Sequence, residues 1–137
     1  MQTVLTIGGS DSAGCSGVQA ALRTIAALGS HGASVLTAVT AQNSARFLTA
    51  HCVDPAAVRA QLGAVKPLDI AAIKIGMLGT AETAEIVAAW LDTMNAPVVV
   101  DPVVRSTSGG ELLAAGALQP LLEQVIPRAT VVTPNLS

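Results

Sequence analysis

This sequence predicts an α/β fold on a mainly parallel sheet, for three reasons. Short apolar runs alternate with stretches of helical periodicity in the order strand, helix, strand, helix, the pattern of βαβ units. The apolar runs are rich in Ala and Val, and 51% of the 137 residues are apolar against 12% charged. Strands of that composition need helices over both faces. The third reason is Leu5 to Thr24, LTIGGSDSAGCSGVQAALRT, where an apolar run enters Gly8-Gly9-Ser10-Asp11-Ser12, turns at Gly14-Cys15-Ser16-Gly17 and becomes a helix. Side chains this small let a ligand reach the backbone and leave amide N–H groups free near a helix N-terminus. Strand-end loops of this kind form small-molecule sites in open α/β sheets.

In chain order, Val4–Gly9 reads as a buried strand. Val18, Leu22, Ile25 and Leu28 share one face of a helix that Gly29 stops. Ser34–Gln42 is rich in β-branched residues and reads as a strand, and Phe47–Val53 as a short strand or extended connection. Asp54-Pro55 is a helix start, with Asp as cap and Pro at the first helical position; Val58, Leu62 and Val65 carry the stripe to Pro67. Ala72–Met77 is a strand. Thr80 caps a helix over Ala81–Met94, with Glu82 and Glu85 near its positive end. Val98–Asp101 is a strand stopped by Pro102. A polar loop, Arg105–Gly110, leads to a helix expected to start near Gln119 and end before Pro127, since Pro120 is costly in a helix interior. Thr130–Thr133 is the last strand, followed by Pro134-Asn135-Leu136-Ser137.

Length and composition suit a single domain over 1–137. No apolar run approaches the ~20 residues of a membrane span, and Lys74 interrupts the best stretch, Ile70–Leu78. The N-terminus lacks a basic region and enters a strand directly, so the expected location is cytoplasmic. A net charge of −2, one Phe, one Trp and no Tyr argue against a nucleic-acid partner, which would need a basic stripe or a stacking platform. Cys15 and Cys52 stand apart with no metal-ligand spacing and read as reduced thiols. His31, between Ser30 and Gly32, reads as a turn residue and His51 as an exposed or packed side chain. Lys74, mid-strand, reads as a solvated or snorkelling lysine.

The glycine loop alone fits neither G-x-x-x-x-G-K-[ST] nor G-x-G-x-x-G. Its companions at other strand ends are Thr40-Ala41-Gln42-Asn43, Lys74-Ile75-Gly76-Met77-Leu78, Asp101-Pro102-Val103-Val104, Ser108-Gly109-Gly110 and Thr133-Pro134-Asn135. In order and spacing, over Leu5 to Leu136, this set resembles the hydroxymethylpyrimidine/phosphomethylpyrimidine kinases of thiamine biosynthesis, in the ribokinase-like superfamily. The resemblance implies a three-layer αβα fold, and Mg-ATP-dependent phosphorylation of 4-amino-5-hydroxymethyl-2-methylpyrimidine and then of its phosphate.

By that resemblance Gln42 reads the pyrimidine, and a carboxamide does offer both a donor and an acceptor to an aminopyrimidine edge. Gly9 lets the ring lie against the backbone, and Met77 and Val103 touch its faces. Asp101 stands near metal-bound phosphate, and Asn135 faces the nucleotide and its Mg2+. Each has a plainer reading: Gln42 as an amide satisfying loose backbone groups, Met77 and Val103 as core, Asp101 as a cap for the following loop.

The chain departs from the family at three places. Gly14-Cys15-Ser16-Gly17 and Gln19-Ala20-Ala21 stand where the family has G-G-A-G and Q-A-D. Ala21 therefore replaces a pyrimidine-binding carboxylate, a hydrogen bond worth ~1.5–3 kcal/mol or roughly 10- to 150-fold in affinity. Arg46-Phe47 follows Asn43 where the family has a smaller segment. Finally, the family continues past T-P-N into a metal-site acid and a glycine-rich anion hole. Loss of one such donor costs ~10²–10³ in rate, so a chain without that part is expected to be inactive alone. Three readings follow: a kinase domain truncated after the T-P-N strand, a degenerate pyrimidine-binding or regulatory module, or a gene fragment. A homodimer or pairing with a C-terminal segment would cover the open sheet edge.

Overall fold

The computed structural model describes residues 1–135; Leu136 and Ser137, the end of the T-P-N segment, lie outside the described residues. Strands β1 (Thr3–Asp11), β2 (His31–Gln42), β3 (Phe47–Cys52), β4 (Ile70–Ile75), β5 (Val98–Val100) and β6 (Val131–Val132) form one sheet in the order β3-β2-β1-β4-β5-β6. All pairings are parallel except β2 with β3, an antiparallel edge. Helices α1 (Gly17–Ala27), α2 (Pro55–Val65), α3 (Ala81–Leu91) and the short α4 (Leu118–Pro120) connect them. The result is the expected three-layer αβα arrangement.

Strand alternation sorts the layers. Leu5, Ile7, Val35, Ile73, Ile75, Val98 and Val100 are buried under Val58 and Leu62 of α2 and the apolar face of α3. Residues of opposite parity face the other way: Gly32 meets Leu22 and Ile25 of α1. Both long crossover helices on the main core side are capped as the sequence indicates. Asp54 accepts the Ala56 N–H at 2.8 Å, and Thr80 Oγ1 accepts the Thr83 N–H at 3.2 Å; each cap stabilises by about 1 kcal/mol.

Several boundaries differ from the sequence reading. β2 starts at His31, which pairs with Thr3 and donates its N–H to the Gln2 carbonyl, so His31 is a strand residue and not a turn. β1 runs on through Asp11, with an irregularity after Gly8 that leaves Thr37 as the extra residue on β2. Thr37 is fully buried, and its hydroxyl donates to the Met77 carbonyl at 2.5 Å. β4 ends at Ile75 and not at Met77. β3 stops opposite Ala38, and the Gln61 side chain takes the exposed N–H and C=O of Leu36 at 2.8 and 2.9 Å. α3 ends at Leu91, three residues short of Met94. The wide part of the last helical run stops at Val125, before Pro127 as expected. The run starts at Leu118, widens over Leu121–Val125 and tightens into a 3₁₀ turn, Ile126–Arg128, where Pro127 sits in the first turn and loses no helical bond. Arg128 closes it on Asp92 through a bidentate pair at 2.6 and 2.7 Å, and this guanidinium holds the Asp92 carboxyl below its usual range.

Candidate functional site

The carboxyl ends of β1, β2, β4 and β5 open into one cavity of about 190 Å³. Its wall is set first by the glycine loop. Asp11 is buried, 3% exposed, and its carboxylate accepts the N–H of Ala13 at 2.9 Å, the N–H of Ser16 at 2.8 Å and the Ser16 hydroxyl at 2.9 Å. Burial pushes this carboxyl up, but the Ser16 hydroxyl and the backbone N–H groups of Ala13, Ser16 and Cys15 outweigh it and hold it below the ordinary value. Gln19 bonds the loop from α1, its Oε1 accepting the Asp11 N–H at 2.8 Å and its Nε2 donating to Ser10 Oγ at 2.6 Å. Gly17 closes the turn at φ +62°, and a Cβ there would collide with the Gly9 carbonyl, so no other residue fits.

The opposite wall is a small flap. Arg105 and Glu111 bridge in antiparallel fashion, and Ser106 and Gly110 share a backbone bond at 2.7 Å. Phe47, from the antiparallel edge, lies flat on Gly110: a Cβ at Gly110 would come within 2.6 Å of Phe47 Cε1 and nearer still to two other ring atoms. Beneath it Ala38, Met77 and Leu112 form a second small core with Phe47, Ala50 and Val103 packed around it. The Arg46-Phe47 departure therefore has a structural partner in Gly110.

All six residues singled out from the sequence line this cavity. Gly9 is buried at the bulge, and a Cβ there would stand 2.9 Å from Met77 Sδ. Met77 is 7% exposed and belongs to the small core as well as to the wall. Val103 is half-buried beside it. Gln42 has its main chain bound to Ser12 Oγ, which donates to the Gln42 carbonyl at 2.6 Å and accepts its N–H at 2.9 Å. Asp101 follows β5; its carbonyl, and not its carboxylate, accepts the Val103 N–H at 2.9 Å, and among the described residues no hydrogen bond reaches the carboxylate. Asn135 is exposed after β6, at the cavity edge.

Two features were missed. Lys74 is no mere surface lysine: it is half-buried in the cavity wall, with Nζ 2.9 Å from where a Cβ of Gly76 would be, and among the described residues it has no salt-bridge partner within 4.0 Å. The signal was available, since Lys74 and Gly76 share strand parity and a glycine leaves room for a lysine tip. Asp11 was quoted only as part of a loop, although an acid five residues before a Ser-Gly helix start is placed to take loose amides. Ala21, by contrast, is not among the lining residues. Cys15 and Cys52 are both free thiols, exposed. Among the described residues no cluster of three or more His, Cys, Asp or Glu could hold a metal, and no helix is long and apolar enough to cross a membrane.

Comparison with known proteins points the same way. The phosphomethylpyrimidine kinase family profile matches residues 11–137. A hydroxymethylpyrimidine/phosphomethylpyrimidine kinase of Streptomyces coelicolor is 52% identical over 134 residues, covering 97% of this chain and 50% of the relative. One from Rhizobium meliloti is 47% identical with the same coverage of each. The crystal structure of phosphomethylpyrimidine kinase from Clostridium difficile superposes with a TM-score of 0.90 at 38% identity, over 99% of this chain and 60% of that one. A Staphylococcus aureus pyridoxal kinase in complex with pyridoxal gives 0.88 at 33% identity, over 99% and 49%. The chain spans about half the length of the curated relatives it matches.

Proposed function

The chain belongs to the phosphomethylpyrimidine kinase family, and from that premise we propose that its cavity binds the ring of 4-amino-5-hydroxymethyl-2-methylpyrimidine or its phosphate, for phosphoryl transfer from ATP in thiamine biosynthesis. One observation carries the reading: residues from the ends of β1, β2, β4, β5 and the segment after β6 line one cavity at one rim of the sheet.

In this reading the ring lies over the Gly9 backbone, which has no side chain to hold it off. Met77 and Val103 contribute apolar contact to its faces, and dispersion from each is small but additive. The Gln42 amide pairs with the ring edge through its donor and acceptor. Lys74, Asp101 and Asn135 face the side where phosphate arrives. Mg2+ is usually held by one or two carboxylates together with substrate phosphates. Asp101, with a carboxylate free of bonds from the described residues, fits that donor set together with Asn135. The metal with ATP would supply the phosphoryl group and screen its charge. The protein's own share is to hold the hydroxymethyl group at a fixed position, since positioning accounts for much of phosphoryl-transfer catalysis.

Titration calorimetry of the 137-residue chain with the aminopyrimidine tests the binding half. Saturable one-to-one binding that Gln42→Leu weakens tenfold or more supports it; no heat of binding, or equal binding by the variant, refutes it. A coupled ATPase assay of the same sample then separates a kinase from a binding module, which would hold the ring without turnover.

A further inference from the structure

The side chain of Gln42 is bonded at its far end, as its main chain is by Ser12. Ser106 Oγ, on the flap, donates to Gln42 Oε1 at 3.3 Å. Ser106 Oγ in turn accepts the backbone N–H of Ser108 at 3.2 Å and lies 2.7 Å from Ser108 Oγ. A serine hydroxyl has one proton and two lone pairs. With its proton on Gln42, its lone pairs take the Ser108 N–H and the Ser108 hydroxyl proton, and the count closes with nothing left over. The amide nitrogen of Gln42, with two protons and no partner among the described residues, is then the end free to donate to a ligand, while Oε1 keeps one lone pair.

We propose that Ser106, backed by Ser108, is a specificity-determining positioning residue that fixes which way the Gln42 amide points. The inference rests on the pyrimidine reading above and extends it. A fixed amide presents its donor and its acceptor in one order only. That order suits a ring edge with a bare nitrogen beside an exocyclic amino group: Nε2–H donates to the ring nitrogen, and Oε1 accepts from the amine. A ring with an oxo group in place of the amine shows the reverse order, N–H beside C=O. A ring confined between Met77 and Val103 cannot slide to restore the match. If the amide could turn freely, both rings would be accepted.

The test is calorimetry of the full chain, its Ser106→Ala variant and its Ser106→Thr variant, each with the 4-amino ring and its 4-oxo counterpart. The unmodified chain is expected to favour the amino ring about tenfold or more. Ser106→Ala should weaken amino-ring binding about three- to tenfold, the reach of one hydrogen bond, and bring the two rings within about threefold of each other. Ser106→Thr, which keeps the hydroxyl, should restore the preference, a result that simple loosening of the flap would not give. An undiminished preference in Ser106→Ala overturns the inference and leaves the pyrimidine reading standing. A preference of the unmodified chain for the oxo ring overturns it too, because the serine pair would then run the other way. Binding of neither ring by the unmodified chain removes the pyrimidine reading and this inference together.

Discussion

Replacing Asp11 by Asn keeps the shape of the side chain and removes its charge, at a position that organises one whole wall of the cavity. The carboxylate accepts two backbone N–H groups and one hydroxyl at 2.8–2.9 Å while 3% exposed. Asn retains one acceptor oxygen, and its amide protons must then point at a donor. Loss of a charge-assisted bond costs ~1.5–3 kcal/mol, and a buried N–H left alone costs ~1–3 kcal/mol; because the two overlap, about 3 kcal/mol is expected at pH 7. For a domain of this size that is roughly 10 °C in Tm. The pH dependence carries the sharper signature. The native carboxyl lies below its ordinary value of 3.8, so as pH falls the unfolded chain takes up the proton first. The stabilisation is complete about one pH unit above that value and is lost as pH drops through it to the native pKa. Urea unfolding of both proteins between pH 7 and pH 3 should therefore show a gap that is constant down to about pH 4.5 and narrows below it. A gap that stays the same to pH 3, or a variant as stable as the parent at pH 7, would show that Asp11 does not hold the loop as a carboxylate.

Gly110→Ala should cost about 1–3 kcal/mol by forcing the Phe47 ring off the flap, and close to nothing in a Phe47→Ala background; equal costs in both, measured by urea midpoints, would deny the contact. Gly17→Ala combines a left-handed φ with a collision against the Gly9 carbonyl, so it should lower stability by about 2 kcal/mol or more and abolish ring binding; an unchanged thermal midpoint counts against the turn. Lys74→Met should weaken binding of the phosphorylated ring about three- to tenfold more than that of the alcohol, because only the former presents charge to the ammonium. Equal losses in calorimetry would remove Lys74 from the phosphate side. Thr80→Ala should cost about 1 kcal/mol in thermal unfolding, a check on α3 independent of the cavity; no change would mean the cap is idle.

The parts legible in the sequence were those set by local chemistry. Strand-helix alternation, the Asp54-Pro55 and Thr80 starts, and glycine at strand ends each depend on a few neighbouring residues, and the structure follows them closely. The cavity residues were legible through a family resemblance that short motifs carry, and those motifs converge once the strands are parallel. What escaped was decided by partners distant in the chain. β2 reaches back to His31 because Thr3 is there to pair with it, and the Met77 carbonyl, just past the end of β4, is taken by Thr37 on the other side of β1. Phe47 stands where the family has a smaller segment, and only Gly110, far along the chain, supplies the surface it rests on. The Ser108–Ser106–Gln42 chain joins a flap to a strand end across 64 positions, and no periodicity announces such a bond. The 3₁₀ turn over Ile126–Arg128 also escaped, because a proline excluded from a helix interior is welcome in the first turn of a new one.

Amide and methyl NMR spectra of the chain, recorded while 4-amino-5-hydroxymethyl-2-methylpyrimidine is added, test the central claim most directly. The account predicts that the Gly9 amide, the Gln42 side-chain amide and the methyls of Met77 and Val103 shift together along one saturation curve, with α2 and the outer face of α3 unmoved. Shifts confined to other surfaces, or none at saturating ligand, would contradict it.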